Sequence, residues 1–492
     1  MIGARITGSL DMSHARFDRP LIVESCYFDE PIKLVGARLA WLSLHDCVMP
    51  EVSGYYLRVE GDLDLGGSSM VGLDLFGAQV AGRLVLDGAR LGSAGDRFAL
   101  NAPEAVVGGG MYCNGGFVAE GGVNLYGASI GATLEFSGAR LESPGRHALR
   151  APGLKVGADL ILDQGFAGVG SIDLFAAEIE GQVWLSGARL SSGSARWGLS
   201  APLLKVRGGV YCRGGFGCDG GVNLFGAQIG STLELEGATL TNPGGLALRA
   251  PRLSVASDVT LSRGFAATGG IDLTDAVIRG ALDLEQAHLS DATIALVGAQ
   301  VGTLRGEPSD APPAWALDGL TYESLDPHPS VTRALRWLRS GAGAYHPQPY
   351  EQLARYYRGL GHDEQARTVH LAKQRHRRQG LRLAARWWGH IQDAGLGYGY
   401  RPGRALLWLI ALVAALSGYF AAFPPHVVAV SAPRFQPVIY ALDLLVPVLG
   451  LGQKSAYVPI GAGEWVAWAG TLAGWVLGTT ILAAATRAIA RN

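Results

Sequence analysis

The chain has 492 residues, with 41 basic and 42 acidic side chains, a formal net charge of −1 and 71 glycines. That balance excludes a protein held to nucleic acid by bulk positive charge. Five cysteines in so long a chain exclude a disulfide-stapled scaffold, and a 48% hydrophobic content excludes a disordered polymer.

The N-terminal residues already sit inside a repeat. Gly3-Ala-Arg-Ile6 and, eleven residues on, His14-Ala-Arg-Phe17 match a paired motif with no polar cap before it. Solenoids need capped ends for solubility. The expectation is that the first coil is covered by a partner or a second copy, or that the true start lies upstream of Met1.

Gly-Ala-Arg-Leu then recurs at Gly36–Leu39, Gly88–Leu91, Gly138–Leu141 and Gly187–Leu190, and decays to Gly237-Ala-Thr-Leu240 and Gln286-Ala-His-Leu289. The steps are 52, 50, 49, 50 and 49 residues, a period that marks a solenoid. A weaker echo leads it by eleven residues at Gly77, Gly127 and Gly226, and apolar residues such as Leu125, Ile130, Phe136 and Leu141 fall five or six apart. Neither helical nor strictly alternating, this spacing suits short strands turning at every corner of a β-helix. Gly supplies the turn conformations, and the Ala beside it fills the corner.

The unit resembles the pentapeptide-repeat β-helices, as in Ala15-Arg16-Phe17-Asp18 and Val123-Asn124-Leu125, with extra Gly and six-residue steps. The fold class is therefore mainly β, a right-handed pentapeptide-like solenoid over 1–305. An Ala-Pro pair recurs at Ala102, Ala151, Ala201 and Ala250, and Phe117, Phe166, Phe216 and Phe265 fall in register as an interior ladder. Arg38, Arg90, Arg140 and Arg189 are expected to form one outward stripe. With 23 basic against 31 acidic residues from Met1 to Arg305, that stripe is a solvated face beside Asp87 and Glu142, and nucleic acid is not an expected partner.

Residues 306–329 read as a linker, with EPSDAPPAW at 307–315. Residues 330–400 form a helical adaptor. Ser330–Ser340 is amphipathic, and Tyr350, Leu353, Ala354, Tyr357, Gly361 and Ala366 have the spacing of a single tetratricopeptide-like helix pair. Fourteen basic residues against four acidic ones occupy Ser330–Arg404. Arg375, Arg377, Arg378, Arg382 and Arg386, followed by Trp387 and Trp388, are candidate contacts to anionic lipid headgroups.

Residues 401–492 form the membrane domain. Runs 405–423 and 465–485 carry no charge, long enough to cross a bilayer core of about 30 Å. Arg401, Arg404, Arg487 and Arg491 flank them, which places both ends and the solenoid in the cytoplasm beneath the cell membrane. Between the spans, 435–452 is apolar but holds Asp443, Pro437 and Pro447, as a re-entrant or interfacial loop does. Val448-Leu-Gly-Leu-Gly-Gln453 is similar to the filter of two-span pore-loop channels, Thr-Val-Gly-Tyr-Gly-Asp, whose carbonyls replace an ion's water shell. Asp443, Gly450, Gly452 and Gln453 are the candidate functional residues here, with conduction and a structural role both open.

No Cys-x-x-Cys, zinc spacing, phosphate loop or nucleophile motif accompanies these features. No catalytic residue, metal or cofactor is therefore expected. The GARL repeats, Tyr350–Arg378, Gly397–Gly403 and the Tyr440-Ala-Leu-Asp-Leu-Leu segment resemble a group of actinobacterial membrane-associated proteins over essentially the whole chain. That resemblance implies a membrane location and the label oxidoreductase. The residues themselves point to a membrane-tethered scaffold or protein-interaction surface, with a channel as the alternative.

Overall fold

A computed structural model describes residues 1–95, 97–193, 196–290, 293–306, 314–339, 345–379, 402–429, 432–446 and 450–489. The chain divides into two compact units, 1–352 and 353–492.

Unit 1 is a parallel β-solenoid of about 13 turns, mainly two-residue strands stacked into two 23-stranded sheets. Each coil has four short sides. Ser69–Met70, Leu73–Asp74, Gln79–Val80 and Leu84–Val85 are the sides of one coil, and each pairs in register with the coils above and below. Inward positions are filled by aliphatic side chains, so that Leu73, Val80, Leu84 and Leu91 are all buried. Four sides per coil accord with the expected echo of the motif.

The corners explain the motif residue by residue. Ala78 N donates to Leu75 O at 3.0 Å and Ala89 N to Leu86 O at 3.0 Å, closing four-residue turns. The third residue of each, Gly77 or Gly88, has a positive φ of 63° or 68°, the pattern of a type II turn. The following Ala points inward and is fully buried. Where Gly is missing the conformation persists, as at Ala176 (φ 51°) and Gln286 (φ 59°). Left-handed backbone penalises a Cβ, so Ala176→Gly is expected to stabilise the solenoid by up to about 1 kcal/mol, read as a rise in denaturation midpoint. An unchanged or lowered midpoint would contradict that assignment.

The 50-residue period is two coils, not one. Rungs run Arg90, Val118, Arg140, Ala167, Arg189 and Gly217 along one ladder, with alternate steps of 22 and of 27 or 28 residues. Phe117, Phe166, Phe216 and Phe265 are all fully buried. Phe136 lies between the first two, with ring centroids at 6.2 and 6.4 Å. The expected core ladder is present, with a member the periodicity alone did not supply.

The solenoid also outruns its expected boundary at 305. Strands Ala314–Ala316 and Thr321–Asp326 pair with Thr293–Ala295 and Gln300–Arg305, so much of the expected linker is a further coil. The reason is that turn chemistry survives the loss of the motif, with Gly298 and Gly319 at φ 68° and 77°. This last coil is capped. Helix α1 (Val331–Arg339) buries Ala334, Leu335 and Leu338, and Trp337 meets Trp315 edge to face. At the start of helix α2 (Gln348–Gly359), Gln348 Nε2 and Gln352 Nε2 donate to the carbonyls of Leu320 and Tyr322 at 2.8 and 2.7 Å. At the other end, Met1, Ile2, Phe17 and Ile22 are exposed, whereas Phe28, Ile32 and Leu39 one coil later are buried.

In unit 2, α2 is followed by a turn at Gly361 (φ 78°), where His362 N donates to Tyr357 O, and then by helix α3 (Asp363–Gln379). Leu353, Ala354, Tyr357, Ala366 and Val369 are buried. Helices α4 (Pro402–Ala422) and α7 (Ala462–Ile489) stand on the two apolar runs, with the short α5 (Pro437–Leu445) and α6 (Gln453–Ala456) between them. The described side chains of α4 and α7 cover 407–422 and 462–479. Among the described residues no helix is long and apolar enough to cross a membrane.

Candidate functional site

The loop between α4 and α7 brings two of the four predicted residues into one buried polar cluster. Asp443 sits on α5 and is buried. Its two carboxylate oxygens accept from the backbone N–H of Leu451 at 2.9 Å and of Lys454 at 2.7 Å. A buried carboxylate requires such donors, because an unmatched charge away from water costs several kcal/mol. Gln453, also buried, donates through Nε2 to Arg434 O at 3.0 Å and accepts at Oε1 from Gln436 N. Tyr457 Oη donates to Pro433 O at 2.6 Å. Asp443 is thus part of a closed lock and not a solvent-exposed side chain. Asp443 and Gln453 pin both sides of the turn from within.

Gly450 and Gly452 lie on the outside of this turn and are exposed. Gly452 has φ 77° and precedes α6, a conformation that selects Gly. A hydrophobic core of Leu416, Phe420, Tyr440, Leu444, Leu445, Tyr457 and others holds α5 against α4 and α7. The sequence reading passed over a contributor to that packing. A Cβ added at Gly474 would lie 2.1 Å from the Leu445 carbonyl, and one at Gly470 would lie 2.9 Å from Leu416. The spacing Gly470-x-x-x-Gly474 was the available signal.

The outer surface of this bundle is apolar. On α7, Trp465, Trp468, Leu472, Trp475 and Val476 fall on one helical face and are 80, 71, 65, 56 and 53% exposed. Leu407, Trp408 and Ile410 on α4 are exposed too. Thr471 and Thr479 turn their hydroxyls back onto helix carbonyls of Ala467 and Trp475. The named faces of α4 and α7 thus present hydrocarbon outward, whereas the exposed charges Lys454 and Glu464 lie in the loop and in the first turn of α7.

The remaining candidates separate. Arg375 and Arg377 lie on α3; the side chain of Arg378, and Arg382 and Arg386 entirely, lie outside the described residues. The arginine stripe of the solenoid is corrected. Arg38 belongs to the other sheet, paired with Arg16 and Arg58, whereas Arg90, Arg140 and Arg189 share a ladder interrupted by Val118 and Ala167. Three arginines spaced by two coils, with the fourth on another face, make no continuous cationic surface. Arg140 pairs with Glu142, and Asp87 accepts from the Asn114 amide.

All five cysteines are free and buried. Burial pushes the thiols of Cys113 and Cys212 well up and that of Cys218 up to about 12. The native protein should resist alkylation at mildly alkaline pH and label only when unfolded; rapid labelling of these thiols would contradict the burial. The unfolded thiols ionise at their ordinary value while the folded ones stay neutral. Stability is therefore full below the ordinary thiol value and falls as pH rises toward 12, visible as a decreasing denaturation midpoint.

Among the described residues no group of three or more His, Cys, Asp or Glu could hold a metal ion. No family model, no curated protein and no solved structure matches the chain.

Proposed function

We propose that the chain is a membrane-anchored scaffold, a right-handed pentapeptide-like β-helix carried by a helical adaptor on the two-helix hairpin α4/α7. The observation that carries this reading is the exposed Trp and Leu face of α7, set over a loop whose Asp443 is buried and bonded to backbone amides. Water penalises such a surface at about 25 cal/mol per Å², whereas lipid does not. Arg375, Arg377, Arg378, Arg382 and Arg386 would then rest on anionic headgroups at the cytoplasmic side. The exposed first coil, with Phe17 and Ile22, supports contact with a second copy or a protein partner. Actinobacterial membrane-associated proteins are the group this assignment fits, as a membrane protein rather than through their oxidoreductase label.

The test is fractionation of expressed full-length protein. It should remain with membranes through alkaline carbonate, and its tryptophans should be quenched by brominated lipid. Recovery in the aqueous supernatant without detergent would defeat the anchor. Absence of crosslinked copies or partners would remove the scaffold.

One observation favours a second reading, a pore-loop channel. The order α4, α5, exposed Gly450–Gly452 turn, α7 follows that architecture, and Asp443 draws the turn's amides inward. Reconstituted protein would pass ions in a symmetric assembly, with the current altered by Gly450→Ala or Gly452→Ala. Silent bilayers would end this reading.

A further inference from the structure

One corner of the solenoid carries a row of side chains that its geometry does not demand. Counting upward coil by coil, the second residue of the turn is Tyr126, Pro152, Phe175, Pro202, Phe225 and Pro251. Backbone bonds from each turn to the next fix the register, among them Gly127 N to Pro152 O and Gly153 N to Phe175 O, both near 2.9 Å. Aromatic and proline thus alternate along one edge. The turn at another corner has the same pattern yet carries Asp87, Ser137, Ser186, Glu236 and Glu285 in that place. Since the same turn accepts Asp, Ser and Glu, packing does not explain the aromatics. Tyr126 and Phe175 are each 45% exposed, and Leu203 beside them is exposed as well.

The spacing selects the occupant. Successive aromatics are two coils apart, about 9.5 Å at the usual distance between neighbouring strands. Three residues of polyproline II rise about 9.3 Å. Arg150 lies over the Tyr126 ring at 5.0 Å and Arg249 over Phe225 at 4.9 Å, so those rings have one face covered. Between successive aromatics along the edge lies a half-buried proline, Pro152 or Pro202. Beside the row runs a polar ladder in which Arg150 adjoins Asp173 and Arg249 adjoins Asp272. Opposite charges on adjacent rungs complement an uncharged polymer rather than a polyanion.

We infer that this corner docks a proline-rich segment of a partner protein in the polyproline II conformation, one turn of the ligand per aromatic side chain. Its backbone carbonyls have no internal hydrogen bonds, and the guanidinium groups of Arg150 and Arg249, which each donate one bond through Nη1 to Asn124 or Asn223 Oδ1, carry further N–H groups to donate to them. This deepens the scaffold reading, on which it rests, by giving the partner's chemistry.

Full-length protein in detergent, titrated into fluorescently labelled dodecaproline, tests it by polarisation. Binding should appear, and Phe175→Ser or Tyr126→Ser should weaken it roughly tenfold, as loss of an aromatic anchor does. Glu285→Ala, on the other corner, should leave it unchanged. Both aromatics are surface residues, and an unaltered melting curve of each variant shows that folding is intact. Absence of dodecaproline binding, binding indifferent to Phe175→Ser, or binding of cellohexaose in place of the peptide would each overturn the inference. If the peptide fails while the protein still sediments with membranes and crosslinks, this docking site falls and the scaffold stands.

Discussion

Gly122→Val should be among the most damaging single substitutions in the solenoid. Gly122 has φ 79°, and an added Cβ would lie 2.5 Å from the His147 carbonyl and 3.0 Å from that of Ala148 in the next coil. Two costs combine. A left-handed backbone costs a side chain about 1–2 kcal/mol, more for a β-branched one. Moving a backbone carbonyl of a packed neighbour adds about 1–3 kcal/mol. In a stack where each coil touches only its neighbours, the loss concentrates at one interface, so cooperativity should break there. Gly153→Ala is the control. Its φ is 68°, but nothing lies within 4 Å of the added carbon, so only the first cost applies. Urea denaturation should show a lowered or split transition for the valine variant and a small shift for the alanine one. Equal shifts would mean that inter-coil contact at Gly122 has no special weight.

The same physics decides what the sequence could disclose. Gly-Ala pairs were readable because a positive φ and a tight inward corner admit few other residues. Hence the solenoid, and the burial of Ala89 and Ala139, followed directly. The coil count did not, because Gly-Ala-Arg-Leu marks one coil in two and the intervening coils are five or six residues longer. Before Arg90 every coil is short, with rungs 20 or 21 residues apart, so the 52 residues from Arg38 to Arg90 end on the other sheet and split the arginine stripe. The alternation of short and long coils also concealed the alignment of Tyr126 and Phe175 with Pro152, of which only the Ala-Pro pair was visible as a motif. The boundary near 305 was misplaced for a related reason. Leu296-Val-Gly-Ala299 and Leu317-Asp-Gly-Leu320 keep the turn without the Arg, and the turn is what the fold requires. In the loop, Asp443 and Gln453 were legible as unusual polar residues in an apolar segment. Their joint role was not, since ten residues of separation say nothing about which amides a carboxylate will meet.

Asp443→Ala tests that joint role, and a large loss is expected in unit 2. The carboxylate satisfies two backbone amides at 2.9 and 2.7 Å, and removing it strands both. Both bonds are part-buried, so about 1–3 kcal/mol per unmatched N–H is the upper bound set by full burial, and the penalty rises where lipid rather than water surrounds the bundle. Asp443→Asn keeps one acceptor oxygen and should lose about half as much. Protease nicking in detergent should move from resistant to rapid at the 450–454 turn in the alanine variant, with asparagine intermediate. Residues of the solenoid should keep their protection, because the chain forms two separate units. If all three proteins resist protease alike, the turn is held by its apolar contacts with Tyr440 and Leu444 and not by Asp443. A conducting loop and a purely structural one then part company. Conduction needs Gly450 and Gly452 held in one fixed orientation, so a loosened turn must silence any current, whereas a membrane anchor needs only α4 and α7 and should still sediment with the bilayer.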